Sequence, residues 1–259
     1  MEAGYRIRLR GWKIVFLGGL FYLAFLAASI PASVIARQIE RQAGERVLFS
    51  SEQGTLWSGT ADMLIADANG GAIPQRVGAV SWRFRAADLW LGQLGFNLEL
   101  ADTDVMAKGT LRQGMSGLRL RDVKAEIPVG WLTGFHSALA TWRPTGKLLV
   151  EASDFDFASN AITGHAIVRW LNASSALAAR PFGSYRLNLE GKSQGIAIAL
   201  STEQGVLELS GAGNWNRQAG LTFDGIARKN AGAEGLDEFL RAAMGTTQGD
   251  GSHVIRIRE

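Results

Sequence analysis

The amino-acid sequence predicts a mainly β protein, with a single N-terminal transmembrane helix followed by one large antiparallel β-sheet and one or two short helices. Three observations carry this. Residues 14–36 bear no charge and follow a cluster of cations: Arg6, Arg8, Arg10 and Lys13. Beyond them, apolar and polar residues alternate with a period of two in many short stretches. Glycine is abundant, at 32 residues, and proline scarce, at 5, which suits short strands joined by tight turns.

The N-terminal segment is the first element. Its densest part, residues 14–30, spans roughly 26 Å as a helix at about 1.5 Å per residue. Extension to Ala36 exceeds the hydrocarbon core of a bilayer, roughly 30 Å. Phe16, Phe21, Tyr22 and Phe25 point to all faces, which suits a buried core helix poorly. A cleavable signal peptide is the closer competitor, with Ala27-Ala28-Ser29 as a small-residue cleavage site. However, the apolar run exceeds the usual length of about 7–15 residues, and residues 32–42 continue a helical pattern. The cationic flank is expected to stay in the cytoplasm, which carries the C-terminal side across the membrane. The expected organisation is a basic tail over 1–13, a transmembrane helix over 14–36 and one β-rich domain over 37–259.

The strands follow. Val80, Trp82 and Phe84 alternate with Ser81, Arg83 and Arg85, and Phe96, Leu98 and Leu100 alternate with Asn97 and Glu99. Tyr185, Leu187 and Leu189 alternate with polar neighbours, as do Ile255 and Ile257. Weaker alternation recurs at 118–121, 147–151, 165–170, 196–200, 206–210 and 221–224. One dry face and one wet face per strand is the mark of antiparallel pairing, since parallel strands read as continuous apolar runs. Helical spacing is confined to residues 235–244, where Leu236, Phe239, Leu240 and Ala243 share a face, and to single turns at 86–91 and 129–135. Gly54-Thr55-Leu56, Gly109-Thr110-Leu111 and Gly146-Lys147-Leu148 form a faint echo, as a repeated hairpin would.

Charge and composition narrow the function. The net charge of +3 is accounted for by Arg6, Arg8, Arg10 and Lys13 against Glu2, leaving the remainder neutral. Nucleic-acid binding needs cations concentrated on a folded face, and this domain has no excess to concentrate. The absence of cysteine excludes disulfides, thiolate metal sites and thiol redox chemistry.

No catalytic constellation emerges. Gly191-Lys192-Ser193-Gln194-Gly195 fits G-x-S-x-G, but the elbow needs a following helix, and residues 196–200 read as a strand. His136, His165 and His253 lack metal-binding spacing. Asp102/Asp104 and Asp154/Asp156 lack the glycine and glutamate of a calcium loop, and read as a polar sheet face. No cofactor is expected. Trp57, Trp82, Trp90, Trp131, Trp142, Trp170 and Trp215 are read first as sheet packing, with a partner-docking surface as the alternative.

Gly54-Thr55-Leu56-Trp57-Ser58-Gly59 reads as a short strand bracketed by two glycines, Leu56 and Ser58 facing one way and Thr55 and Trp57 the other. With Ala61, the strand Val80-Ser81-Trp82-Arg83-Phe84, the Leu89-Trp90-Leu91-Gly92 turn and the basic N-terminal anchor, it resembles protein N of the bacterial type II (general) secretion pathway. That resemblance implies a single-pass inner-membrane protein with a periplasmic domain. It implies an accessory, non-enzymatic part in a machine exporting folded proteins across the outer membrane, with other secretion subunits as partners. The family looks related to AsmA-like membrane proteins, which implies a curved sheet and offers an alternative role, lipid handling in an apolar β-groove. Ala24 and Ala28 form a small-xxx-small pair through which the anchor could dock another helix.

Overall fold

A computed structural model describes residues 8–42, 46–66, 74–134, 143–158, 161–176, 178, 180–193, 195–230, 236 and 252–258. Arg6, His136, Trp142 and all of the expected 235–244 helix except Leu236 fall outside the described residues, as do the side chains of Arg8 and Arg10.

The uncharged run is not one helix. It is shared between α1 (Arg8–Ala28) and α2 (Ala32–Gln42), separated at Ser29, Ile30 and Pro31. Proline lacks an N–H and disfavours helical geometry in the residue before it, so the break falls where Pro31 requires it. Every large apolar side chain of α1 from Trp12 to Leu26 is exposed, at 46–75%. Among the described residues, no helix is long and apolar enough to cross a membrane.

Among the described residues all the strands join one antiparallel sheet of thirteen, each hydrogen-bonded to its sequence neighbours. They are β1 (Val47–Gly54), β2 (Ser58–Ile65), β3 (Gln75–Phe84), β4 (Leu94–Asp102), β5 (Val105–Gln113), β6 (Gly117–Pro128) and β7 (Pro144–Ala158). β8 (Ile162–Ser175), β9 (Gly183–Lys192), β10 (Gly195–Gly205), β11 (Leu207–Asn216), β12 (Gly220–Lys229) and β13 (His253–Arg258) complete it. Every stretch of strong alternation falls inside one of these strands. The two single turns are 3-10 helices at Ala86–Leu91 and Val129–Gly134. The echoed glycines occupy unlike places, at the end of β1, within β5 and within β7, so no hairpin is repeated.

Register carries the alternation across the sheet. Ala152, Ala166, Leu189, Ile198, Gly213, Phe223 and Ile257 lie in one row, and Arg121, Asp154, His165 and Glu190 in the adjacent row on the other face. On the polar face, Asp156 and Asp154 pair with Arg119 at 2.8 Å and Arg121 at 3.1 Å. These pairs are partly exposed and worth about 0–1 kcal/mol each. On the apolar face, the Phe223 ring lies over glycines. A Cβ at Gly211, Gly213 or Gly225 would come within 2.6, 2.8 and 2.9 Å of it.

The core sits over the later strands. Ala152, Phe155, Ile162 and Ala166 form one buried cluster. Ala173, Phe182, Tyr185, Leu207, Ala227 and Leu236 form a second. Over β3 and β4 the apolar face stays more open, with Leu98 at 37% exposure. Both sheet edges are protected. α2 lies along β1, with Ala32 and Ala36 buried and Glu40 Oε1 accepting the Phe49 N–H at 2.7 Å. At the far edge β13 is short and charged; hydrogen bonds from Arg258, reinforced by Arg256, hold the Asp224 carboxyl below its ordinary range.

Burial pushes the Tyr185 phenol well above its ordinary value, and its hydroxyl donates to the Leu207 carbonyl at 3.0 Å. The folded state therefore keeps this proton while the unfolded chain releases it near pH about 10. That contribution to stability is complete below this value and is lost as pH rises above it. Tyr185→Phe should cost about 1 kcal/mol at neutral pH, through the unpaired carbonyl, yet lose less stability between pH 9 and pH 11. Thermal melts of both proteins across that range test this. Parallel pH profiles would rule out Tyr185 as the source.

Candidate functional site

Residues 54–59 form a hairpin turn, contrary to the short strand expected of them. Gly54 pairs with Gly59, and Thr55, Leu56 and Trp57 make the connection between β1 and β2. Gly54 has φ +89°, and a Cβ there would strike the Ser58 carbonyl, so the chain must reverse at this point. The first strand of the sheet is accordingly β1, which the alternation did not mark.

Trp82 lies across this turn. A Cβ on Gly59 would meet its ring, so glycine is what lets the indole approach. The Trp82 indole N–H donates to the Thr55 carbonyl at 3.0 Å, and the Thr55 N–H donates to the Ser58 carbonyl at 2.9 Å. Thr55 Oγ1 accepts the Trp57 N–H at 3.2 Å. The Phe84 N–H donates to the Trp57 carbonyl at 2.6 Å, and the Trp57 and Phe84 rings meet edge to face at 4.7 Å. Phe96 continues this aromatic line at 5.4 Å from Phe84.

A turn held this way presents two donors to the N-terminal helices. The Trp57 indole N–H donates to the Ala27 carbonyl at 2.7 Å, and the Leu56 N–H donates to the Ile30 carbonyl at 2.8 Å. Thr55 also forms a β-bridge with Pro31. The last carbonyls of a helix have no donors of their own, so the hairpin supplies what the end of α1 lacks. The arrangement is a clamp between α1 and the sheet.

All seven residues singled out at this motif, Gly54, Thr55, Leu56, Trp57, Ser58, Gly59 and Trp82, are thus brought together. Lys13 is exposed on α1, away from them. Sequence reasoning missed the acceptors Ala27 and Ile30, which show no signal because they contribute only backbone oxygens. It also missed Asp88. This carboxylate, 3% exposed, accepts from Arg85 at 3.0 Å and Arg112 at 3.2 Å and abuts Gly95. Only the i, i+3 spacing of Arg85 and Asp88 hinted at it.

Beside the clamp is an open groove of about 510 Å³ on the polar face, lined among others by Thr60, Ser81, Arg83, Asn97 and Glu99. Among the described residues no group of three or more potential ligands could hold a metal. Ser193 lies in the β9–β10 turn at φ +52°, between two strands, where no helix follows to make an elbow. Trp57, Trp82, Trp131, Trp170 and Trp215 are half-buried, whereas Trp90 is 93% exposed.

The family model for protein N of the type II secretion system matches residues 45–256. The chain belongs to that family. The match begins just before β1 and ends within β13, so the matched part of this chain holds the sheet, and both N-terminal helices precede it. Neither a curated protein nor a solved structure matches the chain significantly.

Trp57→Phe keeps a ring against Phe84 but removes the N–H that reaches Ala27. We expect a loss of about 1 kcal/mol and faster proteolytic cleavage near residues 28–31. Gly59→Ala should lower the unfolding midpoint more than Gly18→Ala, where a Cβ meets nothing within 4 Å. Equal midpoints would show that Trp82 yields without cost.

Proposed function

We propose that this chain is an accessory, non-enzymatic component of the type II secretion system, anchored in the inner membrane by α1, with its sheet in the periplasm. Family membership supports the secretion role. The observation that carries the anchoring is α1 itself. The described part of α1 is by itself not long and apolar enough to cross, but the uncharged run continues to Ala36, and the apolar side chains of α1 are exposed from Trp12 to Leu26. Such a surface is stable in hydrocarbon and costly in water. Arg8, Arg10 and Lys13 lie in its first turns, at the end expected to face the cytoplasm. The clamp then joins the far end of the helix to the first hairpin, so docking of other secretion subunits takes place at a fixed height above the bilayer.

The native chain has no cysteine, so single cysteines report topology cleanly. In intact cells with a permeabilised outer membrane, Thr103→Cys should react with an impermeant maleimide and Glu2→Cys should not. The protein should also resist alkaline extraction from membranes. Reaction at both positions, or release by alkali, would refute the anchoring.

A second reading is lipid handling on the apolar face, of the AsmA-like kind. It is favoured by the half-open face at Leu98 and its neighbours Trp82 and Leu100. Mass spectrometry of detergent-free periplasmic domain should then detect bound phospholipid, and a lipid-free protein that retains its fold would count against it.

A further inference from the structure

The sheet end that carries the Leu56–Trp57 turn also carries the next two connections on that side. β3 ends at Phe84 opposite the start of β4, and β5 ends at Gln113 opposite the starts of β4 and β6. These connections, residues 85–93 and 114–116, are adjacent, since a Cβ on Gly114 would lie 3.4 Å from the Gln93 side chain. They present Leu89, Trp90, Leu91 and Met115 to solvent at 51%, 93%, 70% and 102% exposure. Farther along the same end the described turns are polar, with Ser193 in one and Arg217 and Gln218 in another. Among the described residues of this end, the exposed apolar tips are those of the strands nearest α1.

Their exposure is built into the fold. In the 85–93 connection the usual order is inverted, with a carboxylate inside and tryptophan and leucine outside. Asp88 is drawn inward by Arg85 and Arg112. Gly92, at φ +67°, closes the turn by donating its N–H to the Leu89 carbonyl at 2.9 Å. The Gln93 N–H donates to the Asp88 carbonyl at 3.0 Å. With Asp88 fixed inside, the next three side chains are turned out.

We infer that Leu89, Trp90, Leu91 and Met115 form a seat that dips into the headgroup layer of the bilayer holding α1. This rests on the membrane placement of α1 proposed above. The seat shares its sheet end with Leu56 and Trp57, whose N–H groups hold the Ile30 and Ala27 carbonyls where α1 stops. That end of the sheet therefore lies where the chain leaves the hydrocarbon. Tryptophan suits this boundary because its ring is apolar and its N–H is polar. Arg85 and Arg112 are already bonded to Asp88, so contact with lipid leaves neither guanidinium without its carboxylate. Helix and seat are two separate attachments, and together they set the tilt of the sheet.

The test uses the full chain in phosphatidylethanolamine–phosphatidylglycerol vesicles, with an environment-sensitive dye on one introduced cysteine and nitroxide lipids as quenchers. Leu20→Cys reports α1, Leu91→Cys and Met115→Cys the seat, and Thr103→Cys the opposite end of the sheet. The seat predicts quenching at Leu91 and Met115 by headgroup nitroxide, at Leu20 by mid-chain nitroxide, and at Thr103 by neither. Quenching at Leu20 with water-like emission at Leu91 and Met115 overturns the seat and leaves the anchor standing. Absence of quenching at Leu20 removes the anchor and the seat together. A blue-shifted but unquenched dye at Leu91 indicates protein contact and also overturns the seat. Replacing Leu89 and Trp90 by serine should reduce quenching at Met115 and leave Leu20 unchanged; full quenching at Met115 would oppose a shared seat.

Discussion

A sheet one layer thick must keep most of its apolar side chains on one face, because an uncompensated slip of one residue between two strands would turn that set into water. Among the described residues most strands of this chain meet this requirement, Met106 and Ile226 being exposed exceptions, and many other features answer to it. Phe223 finds room only because Gly211, Gly213 and Gly225 lack side chains, and Trp82 only because Gly59 does. At two of the places where the register slips, Asp122 and Asn172 adopt a positive φ of +51° and +50°. Aspartate and asparagine tolerate that geometry better than most residues. Bulges of this kind add local twist.

The same requirement explains why the first hairpin holds a helix. β1 is an edge strand, with unpaired backbone groups that invite unwanted pairing. α2 occupies that edge through Ala32, Ala36 and Glu40. The turn beyond it meets the end of α1, so groups left over on the sheet satisfy groups left over on the helix. The Gly54–Gly59 segment links the part of the chain matched by the family model to the helices that precede it.

Much of the fold was legible in the residues. The alternation at Val80, Trp82 and Phe84, or at Tyr185, Leu187 and Leu189, has one physical meaning, and the strands lie there. Pro31 and the motif were harder. An uncharged run looks continuous because hydropathy ignores backbone geometry, whereas Pro31 divides it. Gly-Thr-Leu-Trp-Ser-Gly was read as a strand because its side chains alternate. The conformation of Gly54 and the pairing of Gly54 with Gly59 make it a turn. Asp88 was illegible for a different reason, since its partner Arg112 comes from another strand.

By itself the sequence determined the antiparallel class, the positions of most strands though not of β1, β2 and β5, the neutral domain and the family, because each follows from local pattern. Only the tertiary structure decided that Trp57 reaches Ala27, that Trp82 caps Thr55, and that Asp88 turns inward while Trp90 turns out. These depend on which strand ends meet. Contacts between residues about thirty positions apart are set by register and chain reversal, which a pattern of single residues does not encode.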